Sequence, residues 1–419
     1  MPSQLTRDER QELGVQKWVD AKLRGTLCWA TGTGKTRGGI LAIKRFQAKN
    51  PTHKVLVVVP SEPVERQWVE ELAHFKLKAT VITMNMAAKN KYVCSFLIID
   101  EIHRAAAPTL VKLFENIKFK IILGLTATFE RTDGRDRILA QYAPVIDTIT
   151  IQEAVKNGWL SKYREYKVLI ESDNLEEYEK INREFQEHFS FFDYDFNLAM
   201  SCNSDWKARL AEAKRRASGE DWHDINKQLM IHAAGFNRTL QARKKFIHDN
   251  PKKTEIAKLI LEKRADKKCI TFSSTIAQAE RLAKESGVGK VYSGKDTGKK
   301  GRITLDEFKV MKTGVIHSIY KLNEGFNDPS IQVGIVLGFN SSATASKQRI
   351  GRVIRANNPD EEKEIFTLVL KGTQDEKWAQ NSLSGRDFIV IDEEGLRNLL
   401  DGKEFTQKID RPSHILFRF

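Results

Sequence analysis

Residues 30–36 read Ala-Thr-Gly-Thr-Gly-Lys-Thr, and residues 100–103 read Asp-Glu-Ile-His. The first string has the makings of a loop that wraps phosphate. Gly32 and Gly34 carry no side chain, so backbone N–H groups can close around phosphate oxygens, with Thr31 and Thr33 completing the cradle. Lys35 can reach the outer phosphates, and the Thr36 hydroxyl can ligate Mg²⁺. The apolar stretch 26–30 reads as a strand and 36–46 as a helix, which sets phosphate at a helix N-terminus. The second string follows the apolar run 96–99, so Asp100 falls at the carboxyl end of a strand. There it can hold Mg²⁺ through water, and Glu101 can orient an attacking water. Trp29 stands where the GxxxxGK[ST] pattern has its leading glycine. Either string alone is common; both in this order, each after an apolar strand, point to ATP and Mg²⁺.

The rest of the chain extends the same alternation. Strands are expected at 26–30, 54–59, 79–83, 96–100 and 121–125, separated by helical stretches. Short apolar strands of this kind form a parallel sheet covered on both faces. From 172 to 252 the chain is charged and helical in spacing, with no clear strand. Its aromatics (Phe185, Phe189, Phe191, Phe192, Tyr194, Trp206, Trp222) are expected to fill a bundle core. After 254 the alternation resumes, with helices at 254–264 and 275–285 and strands near 268–272, 314–318, 333–337 and 364–370. The Gly/Lys-rich segment 293–302 reads as an exposed loop. Near the C-terminal end, QRIGRVIR (348–355) repeats Arg every three residues at 349, 352 and 355, so the guanidinium groups share a helix face. Planar, permanently charged forks suit phosphate oxygens. A solvated basic face, or a direct nucleic-acid patch, would show the same spacing.

Length and charge narrow the setting. A chain of 419 residues has room for two or three domains, each with its own core. No apolar run approaches the ~20 residues of a membrane span, and the polar N-terminus is no secretory signal. The four cysteines (Cys28, Cys94, Cys202, Cys269) are far apart and form neither a zinc pattern nor a disulfide framework. A reducing, cytoplasmic setting is expected. The net charge of +14 suits a polyanionic partner.

With two α/β halves and these strings in order, the chain resembles the superfamily 2 helicases and translocases. Gln11, upstream of the phosphate loop, resembles the family's adenine-reading glutamine; Gln16 is the alternative, and Arg10 stands where the family often has an aromatic. VVVPSEPVERQW (57–68) resembles motif Ia, GLTATFERTDG (124–134) resembles motif III with a longer tail, and 270–274 resembles motif IV. LNEGFNDP (322–329) resembles motif V, and QRIGRVIR resembles motif VI. The ER-x-DG extension is narrower. It is shared by XPB-like translocases, type III restriction translocating subunits and UvsW-type branch-migration helicases, although Phe129 replaces the usual proline.

The resemblance implies two RecA-like parallel-sheet domains, at 1–165 and 253–400, a helical segment at 166–252 between them, and a tail at 401–419. It implies ATP in the cleft between the halves. The first half would supply Gln11, Lys35, Thr36, Asp100 and Glu101; the second would supply Gly325, Gln348 and the arginine fingers Arg352 and Arg355. His103, Thr126 and Thr128 would couple nucleotide state to movement, while Arg66, Thr83 and Asn323 would grip nucleic acid. The implied partner is duplex, forked or branched DNA, handled by a monomer. An N-terminal domain carried by some relatives is expected to be absent or to lie outside this sequence. An RNA helicase, a restriction or defence motor subunit and a nucleic-acid-binding scaffold with a silent ATPase are the alternatives. Asp392-Glu393-Glu394 lacks the lysine pattern of a nuclease.

Overall fold

The structure is a computed structural model and describes residues 5–131, 133–219, 221–293, 299–319, 328–338, 351, 353–354, 361–383, 386–406 and 408–410. Its N-terminal half is built on β1 (Arg24–Trp29), β2 (Val55–Val59), β3 (Thr80–Thr83), β4 (Tyr92–Val93), β5 (Phe96–Asp100), β6 (Ile117–Lys118), β7 (Ile121–Thr126) and β8 (Val145–Ile149). Six of these form one sheet in the order β3-β2-β5-β7-β1-β8, while β4 and β6 make a separate short pair. Every pairing in the six-stranded sheet is parallel. Val55–Val59 (VLVVV) and Phe96–Asp100 (FLIID) are buried at every position. A parallel sheet has helices on both faces, so its strands need no polar alternation. Among those helices are α1 (Arg7–Asp20), α2 (Lys35–Lys49) and α3 (Glu62–His74). Thr6 and Glu9 close a capping box at the start of α1.

The second sheet contains β9 (Tyr163–Ile170), β10 (Lys268–Ser273), β11 (Lys290–Tyr292), β12 (Gly314–Ile319), β13 (Val333–Val336), β14 (Lys363–Leu370), β15 (Phe388–Ile391) and β16 (Lys408–Asp410). Its order is β11-β12-β10-β13-β14-β9-β15-β16. The chain is thus two parallel-sheet α/β units, as expected, with β15–β16 the antiparallel edge. The long strand β9 spans the expected boundary at 165 and pairs with β14 and β15 in the second sheet. The stretch expected as a tail supplies the edge strand β16.

Between the sheets, helices Leu175–Ser190, Phe196–Ser204, Trp206–Ala217 and His223–His248 bury Phe185, Phe192, Cys202, Leu229 and Phe236 in a core of their own. Tyr178 and Ile247, at the other end of this bundle, join the core of the second sheet. The Tyr178 hydroxyl accepts from Gln374 N at 2.8 Å, which fastens the bundle to the second unit. Two expectations need correction here. Tyr194 and Trp206 are not core residues, each being 61% exposed; they stand at a turn and at the first position of a helix. The stretch 293–302 is not a loop throughout, because a helix begins at Lys299. Asp392 has a structural task, capping helix Glu393–Leu400 through Gly395 N at 2.8 Å.

Candidate functional site

The parallel order places β7 between β1 and β5, with Cys28 level with Thr126 and Asp100 level with Leu125. The two strings therefore meet at the carboxyl edge of one sheet, on the strands that flank β7, where open α/β sheets bind ligands. Gly34 is the N-cap of α2 at φ +97°, a conformation that suits glycine. Space also demands glycine there: an added Cβ would lie 2.1 Å from Gln11 Nε2. Thr36, in the first turn of α2, is half-buried at the same edge. The Lys35 ammonium lies 3.8 Å from Glu101 Oε1 and 3.4 Å from the Trp29 carbonyl oxygen.

Asp100 is buried and fixed on both oxygens. Trp68 Nε1 donates to Oδ2 at 2.9 Å, and Glu101 N donates to Oδ1 at 2.9 Å. Burial, with the neighbouring Glu101 charge, raises its carboxyl to about 6, against the opposing pull of the Trp68 bond and Lys35. A deep carboxylate short of positive charge is a donor that a divalent cation suits. Glu101 follows in the left-handed region at φ +50°, a strained conformation for a residue with a side chain.

From Glu101 a chain of contacts runs to β7. His103 Nδ1 is 3.4 Å from Glu101 Oε2 and 2.9 Å from Thr126 Oγ1. The Thr126 hydroxyl gives its proton to Thr128 O at 2.7 Å, and it accepts from Thr128 N at 3.2 Å. That network assigns the proton to His103 Nδ1. Arg131, from the ER-x-DG extension, donates to His103 O at 2.6 Å and pairs with Asp133 at 2.6 Å.

Helix α1 covers the phosphate loop. Gln11 is buried; its Nε2 donates to Thr33 O at 2.9 Å, while its Oε1 has no hydrogen-bond partner among the described residues. Gln16 instead lies on the outer face, bonded to Asp20 at 2.8 Å and Arg45 at 3.0 Å, so the geometry sets Gln11 and not Gln16 at the loop. Arg10 is committed elsewhere, with Asp147 at 2.7 Å and Glu153 at 3.0 Å. Asp147, buried on β8, also accepts from Lys17 at 2.6 Å and from Trp29 Nε1 at 2.7 Å. The Trp29 departure from the glycine pattern is thereby a buried anchor between loop and sheet.

The second half reaches this site. Gly351 is buried against the loop, where a Cβ would lie 2.5 Å from Thr31 Cβ, and Ile354 O accepts from Ser161 N at 2.9 Å. Gln348, Arg352, Arg355, Gly325 and Asn323 lie outside the described residues. Thr83 caps the short helix Met84–Lys89 at the carboxyl end of β3, and Arg66 is exposed on α3. Neither touches the loop in the contacts described. Reading the sequence missed Trp68, Arg131, Asp147 and Arg7 as site residues. Trp68 and Arg131 sit inside the quoted strings, but their partners are set by strand order, which no local pattern reveals.

Two family models match the chain. "Type III restriction enzyme, res subunit" covers residues 5–95 and 83–131, and "Helicase conserved C-terminal domain" covers 251–357. The DNA 3'-5' translocase XPB2 of Sulfurisphaera tokodaii is 24% identical over 394 residues, spanning 88% of this chain and 82% of that protein. The Pyrococcus furiosus Hef helicase domain shares the fold at TM-score 0.52 and 17% identity, covering 89% of this chain and 97% of that one. Saccharomyces cerevisiae Dbp5, solved with RNA and ADP BeF3, does so at TM-score 0.59 and 11% identity, covering 93% and 91%. No helix among the described residues is long and apolar enough to cross a membrane.

Proposed function

We propose that this chain, a superfamily 2 helicase/translocase of the group joining XPB-like translocases and type III restriction subunits, is a DNA-dependent ATPase that moves along duplex or branched DNA and remodels forks and junctions. The observation that carries the reading is the meeting of three parts at one sheet edge. Lys35 of the loop is 3.8 Å from Glu101, and Gly351 of the second half is packed on Thr31.

The roles are assigned from the motifs and, for the described residues, from the contacts around them. Gln11 Oε1, buried and waiting for a donor, accepts from the adenine amino group. Lys35, held by Glu101 and the Trp29 carbonyl, transfers its charge to the outer phosphates when ATP enters. Thr36 and Asp100 are the residues that would hold Mg²⁺, which when bound neutralises charge between the β- and γ-phosphates. Glu101 orients water for attack on the γ-phosphate. Arg352, next to Gly351 in sequence, and Arg355, three residues further on, stabilise the charge that develops there, so hydrolysis requires both halves. His103, Thr126 and Thr128 carry the state of Glu101 to the turn after β7, and Arg66, Thr83 and Asn323 hold the DNA backbone.

The choice of DNA is supported by the DNA translocase relative and by the net charge of +14. Backbone contacts suit a motor that must pass over any sequence. The bundle offers Lys207, Arg209, Lys214, Arg215 and Arg216 beside the motor. Arg215 and Arg216 are partly spent on Glu212, at 2.6 and 2.7 Å, which leaves Lys207 and Lys214 the better phosphate partners. The test is a labelled four-way junction and a labelled fork, incubated with ATP alongside matched RNA duplexes. Remodelling of the DNA substrates supports the reading. Unwinding of RNA with no action on either DNA would replace it with an RNA helicase.

A further inference from the structure

Arg7 lies one turn before Gln11 on α1, so the two side chains share a face. Both reach the same point. Arg7 Nη2 donates to Gly32 O at 2.5 Å and Nε to Thr33 O at 3.4 Å, while Gln11 Nε2 donates to Thr33 O at 2.9 Å. Two consecutive carbonyls of the phosphate loop are thus held from one side by α1.

A trans peptide points its C=O and its N–H in opposite directions. Holding Gly32 O turns Thr33 N–H the other way, where it bonds Ala30 O at 3.2 Å and tightens the loop. Holding Thr33 O turns Gly34 N–H away from α1. Gly34 is the N-cap of α2, and its N–H belongs to the set that a helix N-terminus offers to an anion. A glycine-rich loop has wide freedom, and each donor left to wander weakens a phosphate cradle by the entropy of fixing it.

We propose that Arg7 is a positioning residue for the phosphate grip: by holding the Gly32 carbonyl it keeps Thr33 N–H in the turn to Ala30 O, and by holding the Thr33 carbonyl with Gln11 it presents Gly34 N–H to the phosphates before nucleotide arrives. The proposal rests on the reading of 30–36 as the ATP loop. It also makes Thr33 O the point where base recognition by Gln11 and phosphate binding meet. Arg10 cannot substitute, being committed to Asp147 and Glu153.

The test is calorimetric titration of the full chain with Mg²⁺–ATP and, separately, with Mg²⁺–tripolyphosphate, which has phosphates but no base. Arg7→Ala should weaken both by the same factor, about tenfold for lost hydrogen bonds from a charged donor. Arg7→Gln, which keeps an amide donor without the charge, should recover most of that loss for both probes; it also serves if Arg7→Ala folds poorly. Weaker ATP binding with unchanged tripolyphosphate binding would overturn the proposal and put Arg7 on the base. Unchanged binding of both would overturn it as well, as would recovery by Arg7→Lys with none by Arg7→Gln, which would make the effect one of charge alone. Wild-type protein that binds neither probe would overturn the ATP-site reading together with this inference.

Discussion

Asp147→Asn is the substitution that most directly tests how α1 is tied to the phosphate loop. The carboxylate accepts from Arg10 at 2.7 and 3.2 Å, from Lys17 at 2.6 Å and from Trp29 Nε1 at 2.7 Å. Asparagine keeps the shape and one acceptor oxygen but loses the charge. Lys17 is half-exposed and can turn to water, so its bond matters little. Arg10 is buried and retains Glu153 and the Thr148 carbonyl, so the loss is smaller than a fully orphaned buried charge. That places the cost at about 3 kcal/mol, the lower end for breaking a buried pair, and for a unit of this size melting should fall by roughly 6–12 °C. Because α1 carries Gln11 and Arg7, KM for ATP should rise more than kcat falls. Burial raises the Asp147 carboxyl, yet the bonds from Arg10, Lys17 and Trp29 outweigh it and hold it below the usual range. A depressed folded-state pKa gives stability that is complete above the unfolded value, near ~4, and lost as pH falls through the folded value. The difference in melting temperature between wild type and Asp147→Asn should therefore be constant from neutral pH down to about 4 and shrink below it. Differential scanning calorimetry across pH, with ATPase kinetics, reads both. A variant with unchanged melting and unchanged KM would refute the anchoring role.

Further predictions concern the motor itself. Glu101→Gln should bind ATP but lose turnover by roughly 10²–10⁴-fold, whereas Lys35→Ala should lose ATP affinity; nucleotide titration and stimulated hydrolysis separate the two, and normal turnover in Glu101→Gln would remove its water-orienting role. Arg352→Ala or Arg355→Ala should cut kcat by up to ~10³-fold with little change in DNA binding without nucleotide; collapse of DNA binding with hydrolysis intact at saturating DNA would make these arginines a DNA grip instead. Duplex binding should weaken with salt at a slope of about 0.9 per phosphate contact and show little sequence preference; a flat salt response in fluorescence anisotropy would contradict backbone tracking.

Much of the first half was legible because parallel strands are continuous apolar runs. VLVVV and FLIID announce themselves, and the two strings each follow such a run. Two strands with a buried charge inside the strand, and not at its end, were not legible. β8 contains Asp147, which is tolerable only because Arg10, 137 residues away in sequence, reaches it. In β9 Glu165 is buried against Arg386, 221 residues distant, at 2.9 Å. A local reading sees a polar stretch in both places, since the pairing partner exists only after folding. The site shows the same division. Spacing singled out Lys35, Thr36, Asp100 and Glu101 as candidates because they lie in two short contiguous strings, and the fold brings Lys35 to 3.8 Å from Glu101. Trp68 on Asp100 and Arg7 on the loop carbonyls depend on how α1 and α3 cross the sheet, and nothing in their neighbours signals it. Gln11 and Gln16 lie on different faces of α1, and it is Gln11 that bonds the loop, through Thr33 O, while Gln16 bonds Asp20 and Arg45.

The central claim is that the two strings and the second half form one ATP site driven by DNA. Its most direct test is the rate of ATP hydrolysis by the wild-type chain without nucleic acid and with saturating duplex DNA, forked DNA or RNA, with Glu101→Gln as the background control. Hydrolysis that is low alone, rises severalfold or more on duplex or forked DNA, stays low on RNA and vanishes in Glu101→Gln is the predicted result. Hydrolysis stimulated by RNA alone, or by no nucleic acid at all, would contradict it.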